Sequence, residues 1–136
     1  MLVVDAGPLY AAAARRDRNH RRCTDLLMST PGPLVVPALV VTEVAYLLAD
    51  RLGDHAELAF ARSLADAELV VEPVGDLEWE RIADLAERYR DLPLGIVDAS
   101  VVALAERLGA TQIATLDRRH FSVVRPRHTE AFTLVP

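Results

Sequence analysis

The chain opens with Leu2-Val3-Val4-Asp5-Ala6-Gly7-Pro8-Leu9, and this stretch decides how the rest is read. Three apolar residues, two of them β-branched, make a short strand buried on both faces. Pro8 suits the first turn of a following helix, carried over 9–14. A carboxylate, Asp5, therefore stands where strand gives way to helix. The same alternation recurs downstream. Leu34-Val35-Val36 reads as a second strand closed by Pro37, followed by a helix to about residue 52 that Gly53 ends. Leu69-Val70-Val71 reads as a third strand stopped by Pro73, and Gln112-Ile113-Ala114-Thr115 as a fourth. Helices are expected over 19–28, over 54–67 with Asp54 as its cap, and over 76–90 with Asp76 as its cap. In the last of these, Leu77, Ile82, Leu85 and Ala86 lie near the apolar face. A strongly apolar helix is expected from Ile96 to Leu108, with Gly109 just past its end. Residues 131–135 add a candidate edge strand. Uniformly apolar strands separated by helices are the pattern of a parallel sheet covered on both faces. The expected fold is α/β: one three-layer α/β/α domain over 1–136, with a central, mostly parallel sheet of four to five strands and right-handed crossovers.

With 136 residues, 51 % of them hydrophobic, the chain has material for one core. No run of about 18 apolar residues is present for a membrane span, and no basic-then-apolar leader opens the sequence. Cys23 is the single cysteine, which rules out an internal disulfide or a Cys-rich zinc site and fits a reducing cytoplasm. It reads as a small apolar residue on a helix. All 15 basic residues are arginine. A phosphate-binding P-loop needs a lysine, as do receiver-type and haloacid-dehalogenase-type sites, which also begin with an aspartate after a first strand. The net charge of −5 is unevenly spread. Arg15, Arg16, Arg18, Arg21 and Arg22 form one basic cluster. Arg118, Arg119, Arg125 and Arg127, with His120 and His128, form another, and acids concentrate over 50–91.

In an open parallel sheet the site lies outside the carboxyl ends of the strands. Asp5 follows the first strand and Asp117 the fourth, so both fall on that edge. Asp98 lies near the start of the 96–108 helix. Glu43 lies about two turns into the helix after the second strand, roughly 8–10 Å from the edge at ~1.5 Å per residue. Taken singly, each has another reading. Asp98 is in a good capping context, Asp117 in a turn before two arginines, and Glu43 is either solvated or at a site; Asp5 is the hardest to explain away. Taken together, four carboxylates repel unless they share protons or hold a cation. An oxygen-only set selects Mg²⁺ or Mn²⁺ over zinc, and phosphodiester hydrolysis is the chemistry such a centre serves.

Four ordered segments resemble the PIN-domain family, and within it the VapC-type ribonuclease toxins of bacterial toxin–antitoxin pairs. They are Val3-Val4-Asp5-Ala6-Gly7-Pro8-Leu9, Val41-Thr42-Glu43-Val44, Leu94-Gly95-Ile96-Val97-Asp98-Ala99-Ser100 and Ile113-Ala114-Thr115-Leu116-Asp117-Arg118-Arg119-His120-Phe121. The resemblance implies a Mg²⁺- or Mn²⁺-dependent endoribonuclease with Asp5, Glu43, Asp98 and Asp117 as its acidic quartet. It makes Asp5 and Asp98 the principal metal ligands, completed by Asp117, with Glu43 on a water or a second ion. Thr115 would support the site by hydrogen bonding, while Ser100 has an equal reading in helix packing. The products implied are a 5′-phosphate and a 3′-hydroxyl.

Arg118 and Arg119 are candidate substrate contacts, since guanidinium groups suit phosphate. For the cluster over 15–22, a solvated helix face and an RNA path both remain open. His120 and Phe121 are read as packing the chain after the motif, with no general-base role for His120. The resemblance further implies a VapB-type antitoxin and homodimerisation, while the single cysteine and the lack of an apolar span lead to the expectation of a cytoplasmic location with no membrane association. Candidate contact surfaces are residues 39–48 and the helix from Asp54, with Tyr10, Tyr46 and Leu47 as anchors; ordinary core packing is the other reading of each. A catalytically silent PIN-like RNA- or protein-binding module is the alternative function, and the intact quartet speaks against it. A phosphotransfer or nucleotide-binding domain is a third, opposed by the missing lysine and Gly-rich loop.

Overall fold

The computed structural model describes residues 1–136. In chain order the elements are β1 (Leu2–Val4), α1 (Ala6–Ala13), α2 (His20–Ser29), β2 (Leu34–Pro37), α3 (Ala38–Leu52), α4 (Asp54–Ala65), β3 (Val70–Glu72), α5 (Glu78–Arg88), α6 (Ile96–Leu108), β4 (Gln112–Ala114), α7 (Arg118–Phe121) and β5 (Thr133–Val135). The strands form one five-stranded sheet in the order β3-β2-β1-β4-β5, and every pairing is parallel. The architecture is α/β/α, with α1 packed against both α2 and α3, α3 against α4, and α5 against α6.

β1 is the centre of the sheet. Val3 aligns with Val35 on one side and Ile113 on the other. Its three residues are buried, which is why the opening triplet carries no polar side chain. The core continues through Val40, Val44 and Leu48 of α3, Ile82 and Leu85 of α5, and an unbroken buried run over 99–105 of α6. That run explains the all-round apolar composition of α6: its helix is enclosed rather than laid on a surface.

Several local expectations need correction. β3 is an edge strand, and Val70 and Val71 are each 40 % exposed, so burial on both faces holds for the inner strands only. Asp54 is the first residue of α4 and makes no capping hydrogen bond; Gly53 precedes it. Asp76 stands two residues ahead of α5, whose start is secured by Glu78, accepting the Gly75 amide at 2.9 Å. Leu77 is 89 % exposed rather than facing the core. Residues 39–48 divide between two faces: Val40, Val44 and Leu48 are fully buried, while Thr42, Glu43 and Tyr46, the last at 68 % exposure, face outward.

Gly109 closes α6 in the left-handed region at φ 68°, and a Cβ there would meet nothing within 4 Å. The cost of a side chain is therefore backbone strain alone. Gly109→Ala should lower unfolding free energy by about 1–2 kcal/mol in chemical denaturation, with no change in any site property.

Candidate metal centre

The strand order explains where the chemistry sits. From β1 the chain builds outward through β2 and β3, then returns to the other flank of β1 to lay down β4 and β5. Adjacent strands whose connections leave in opposite directions open a crevice at their carboxyl ends. Asp5 follows β1 directly, with its amide donating to Ala114 of β4 at 2.9 Å. Asp117 follows β4 as the residue that caps α7. Gly7 lets the two segments approach: a Cβ there would stand 3.2 Å from Leu116 Cβ.

A hydroxyl ties the segments together. Thr115 Oγ1 donates to Asp5 Oδ2 at 2.9 Å and accepts the Asp117 amide at 2.9 Å. Thr115 is 1 % exposed, so this bridge is shielded from water. Its loss would leave a buried carboxylate short of a donor. Thr115→Val should weaken divalent-ion binding about 10–100-fold, measured by calorimetry, with a smaller effect on folding.

Asp98 reaches the cluster from the first turn of α6. Its capping reading does not hold, since Gly95 is the cap residue and Asp98 lies three residues inside. Burial first, then the charge of Asp5, pushes its carboxyl from 3.8 up to about 6; Asp117 and Glu43 add to the rise and His120 opposes it. Asp5 is also raised, chiefly by burial, against the pull of the Ala6 amide and Thr115. Glu43, more exposed on α3, is raised by partial burial and by Asp5. The structure thus brings all four predicted acids into one electrostatic neighbourhood.

His120 was expected to pack behind the motif and instead faces the acids. Its Nδ1 lies 2.5 Å from Asp117 Oδ2 and 3.4 Å from Asp98 Oδ2. Its amide donates to Asp117 Oδ1 at 3.1 Å. The legible signal was spacing: a residue three past a helix-capping aspartate returns to that aspartate. Phe121 does pack, at 1 % exposure. Ser100 back-bonds to the Val97 carbonyl at 2.6 Å and takes the packing role. Arg118 is spent on the carbonyls of Leu134 and Pro136, whereas the exposed Arg119 guanidinium has no intramolecular partner.

The donor set fits a divalent cation. Donor atoms of Asp98, Asp117 and His120 lie within 4.8 Å of one another. Asp5 and Glu43 add negative potential, and His120 Nδ1 is buried with no directed hydrogen bond. A second concavity lies elsewhere. It is a groove of about 1150 Å³ among α1, α2 and α4, lined mostly by apolar side chains including Leu9, Tyr10, Met28 and Phe60. Reactive chemistry belongs to the acidic crevice, because the groove collects no comparable carboxylate group.

The PIN domain family model matches residues 2–125. The chain belongs to the PIN-domain family. This PIN domain is 38 % identical to Ribonuclease VapC26 of Mycobacterium tuberculosis (strain ATCC 25618 / H37Rv) over 135 residues, covering 99 % of this chain and all of the relative. In structure it resembles the sarcin-ricin-loop-cleaving toxin VapC20 of Mycobacterium tuberculosis, with a TM-score of 0.78 at 24 % identity, over 83 % of this chain and 87 % of that one. FitAcB of Neisseria gonorrhoeae shares the fold with a TM-score of 0.61 at 16 % identity, over 87 % of this chain and 88 % of that one. No helix of this PIN domain is long and apolar enough to cross a membrane.

Proposed function

We propose that this chain is a Mg²⁺- or Mn²⁺-dependent endoribonuclease and the toxin of a toxin–antitoxin pair. One observation carries the reading: Asp5, Asp117 and Glu43 all raise the Asp98 carboxyl, in a chain that is 38 % identical, over 99 % of its length, to a named ribonuclease.

Asp5 and Asp98, completed by Asp117, would hold the ion. When bound, it supplies positive charge against the scissile phosphate and lowers the pKa of attacking water. Thr115 holds Asp5 in position through its 2.9 Å bond. Glu43, exposed on α3 and within electrostatic reach of Asp5, would hold a water or a second ion. Of the two candidate arginines, Arg119 is the substrate contact in this reading, because Arg118 already serves the end of β5.

The toxin reading calls for an antitoxin. The α1/α2/α4 groove supports one whose docking segment is apolar with acidic flanks. Arg15 and Arg16 rim the groove and enter no ion pair, so they complement acids while the apolar walls take a helix face. α4, expected as a contact surface, contributes Ala56, Ala59 and Phe60 to those walls, and Tyr10 joins them from α1.

The test is incubation of the partner-free protein with structured RNA. Cleavage should appear with Mg²⁺ or Mn²⁺, leave 5′-phosphates, and stop on EDTA addition. Cleavage that ignores EDTA would overturn the reading.

A further inference from the structure

We propose that His120 is a direct ligand, through Nδ1, of the divalent ion held by Asp98 and Asp117. This nitrogen donor would bias the site away from Mg²⁺ and toward first-row transition ions such as Mn²⁺. The proposal rests on the metal-dependent reading above and adds a ligand that the acidic quartet does not contain.

Two independent features aim the imidazole. Asp117 caps α7 and accepts the His120 amide at 3.1 Å through Oδ1, which fixes the backbone three residues on. The side chain then folds back, so that Nδ1 lies 2.5 Å from the other oxygen of the same carboxylate and 3.4 Å from Asp98 Oδ2. Yet Nδ1 has no partner with hydrogen-bond directionality, although it is buried. An imidazole nitrogen and two carboxylate oxygens converging without directed hydrogen bonds describe donors around a shared point. All three donor atoms lie within 4.8 Å of one another. Ligands at ~2.1 Å from one octahedral ion stand about 3.0 Å apart when adjacent, so the 2.5 Å and 3.4 Å separations need only small adjustments to surround it.

The chemistry of the donors sets the preference. Mg²⁺ is a hard ion that takes oxygen and keeps its waters, while imidazole suits the transition series. Replacing one oxygen position by nitrogen therefore costs Mg²⁺ more than Mn²⁺. The sequence pattern Asp117-Arg118-Arg119-His120 encodes this ligand locally, whereas Asp98 arrives from a separate helix.

The experiment loads the full chain with Mn²⁺ and records electron spin-echo modulation, which reports nitrogen bound directly to the ion. Mn²⁺ and Mg²⁺ affinities are measured by calorimetry on the wild type and His120→Ala. The expected result is a ¹⁴N coupling in the wild type that vanishes in the variant. Mn²⁺ affinity should fall about 10–100-fold, and Mg²⁺ affinity much less. Mn²⁺ binding without nitrogen coupling, or equal losses for both ions, overturns the ligand assignment and leaves the metal-dependent reading standing. Failure of both ions to bind the wild type overturns both readings. Should His120→Ala not fold, the wild-type spectrum alone still decides.

Discussion

Asp98→Asn should lower RNA cleavage by at least about a hundredfold, since even residues behind a metal ligand are worth 10–100-fold, and should make the metal-free protein more stable at pH 7.5. The two effects have one cause. Asp98 is pushed up to about 6 by burial and then by Asp5. Its folded-state value lies above its unfolded value of 3.8. The native state therefore holds the proton more tightly, and ionisation of Asp98 destabilises the fold. That penalty is absent below about pH 4, grows between pH 4 and 6, and is complete above 6. A rise from 3.8 to about 6 corresponds to as much as about 3 kcal/mol. Asn removes the charge and with it the penalty, so the variant's stability advantage should shrink to nothing as pH falls toward 4. Melting temperatures across pH check this directly. A divalent ion stabilises the ionised cluster instead, by about 2.7 kcal/mol at one hundred times its dissociation constant. Mn²⁺ should raise the wild-type melting temperature strongly at pH 7.5, weakly at pH 5, and little in Asp98→Asn. Cleavage should likewise rise with pH through about 6, because the ion must displace the carboxyl proton. An Asp98→Asn protein that is less stable than wild type at pH 7.5 would contradict the electrostatic account.

Phe121→Ala should cost about 3–5 kcal/mol, the range for emptying a buried aromatic site. Phe121 is 1 % exposed and among the largest fully buried side chains. It also ends α7, the single turn that begins at Arg118 and presents His120 to the acids. The melting temperature should drop on the order of 10–20 °C. Because the lost anchor lies one residue from His120, ion binding should weaken as well, in the fraction that remains folded. Phe121→Leu fills most of the space and should recover most of both losses. A variant with full stability would mean that α7 is held by its backbone bonds alone.

The alternation of Leu2-Val3-Val4, Leu34-Val35-Val36 and the later apolar runs with helical stretches was sufficient for a parallel α/β sheet. Branched apolar triplets have few other homes, and the inner strands are as buried as that pattern requires. The pattern failed at β3, where Val70 and Val71 look like inner-strand residues but lie at an open edge. Strand order is a long-range property, and three apolar residues do not encode their neighbours. Asp76 and Asp54 looked like caps from residue type alone. Glu78 won the first position because its longer side chain reaches back to the Gly75 amide. Arg118 and Arg119 were indistinguishable in sequence; the carbonyls of Leu134 and Pro136, brought near by the β4–β5 pairing, separated them.

By itself the sequence determined the four carboxylates, the strand-end position of Asp5 and Asp117, and the absence of the lysine that rival strand-end sites need. These are local facts of residue type and order. Only the tertiary structure decided that β4 lies against β1, so that the residues after both strands share one crevice. It also decided that Thr115 bridges Asp5 and Asp117, and that His120 Nδ1 stands within 3.4 Å of Asp98. The reason is physical. A carboxylate becomes a metal centre through repulsion and burial shared with other chain segments, and those quantities exist only after the sheet has brought the segments together.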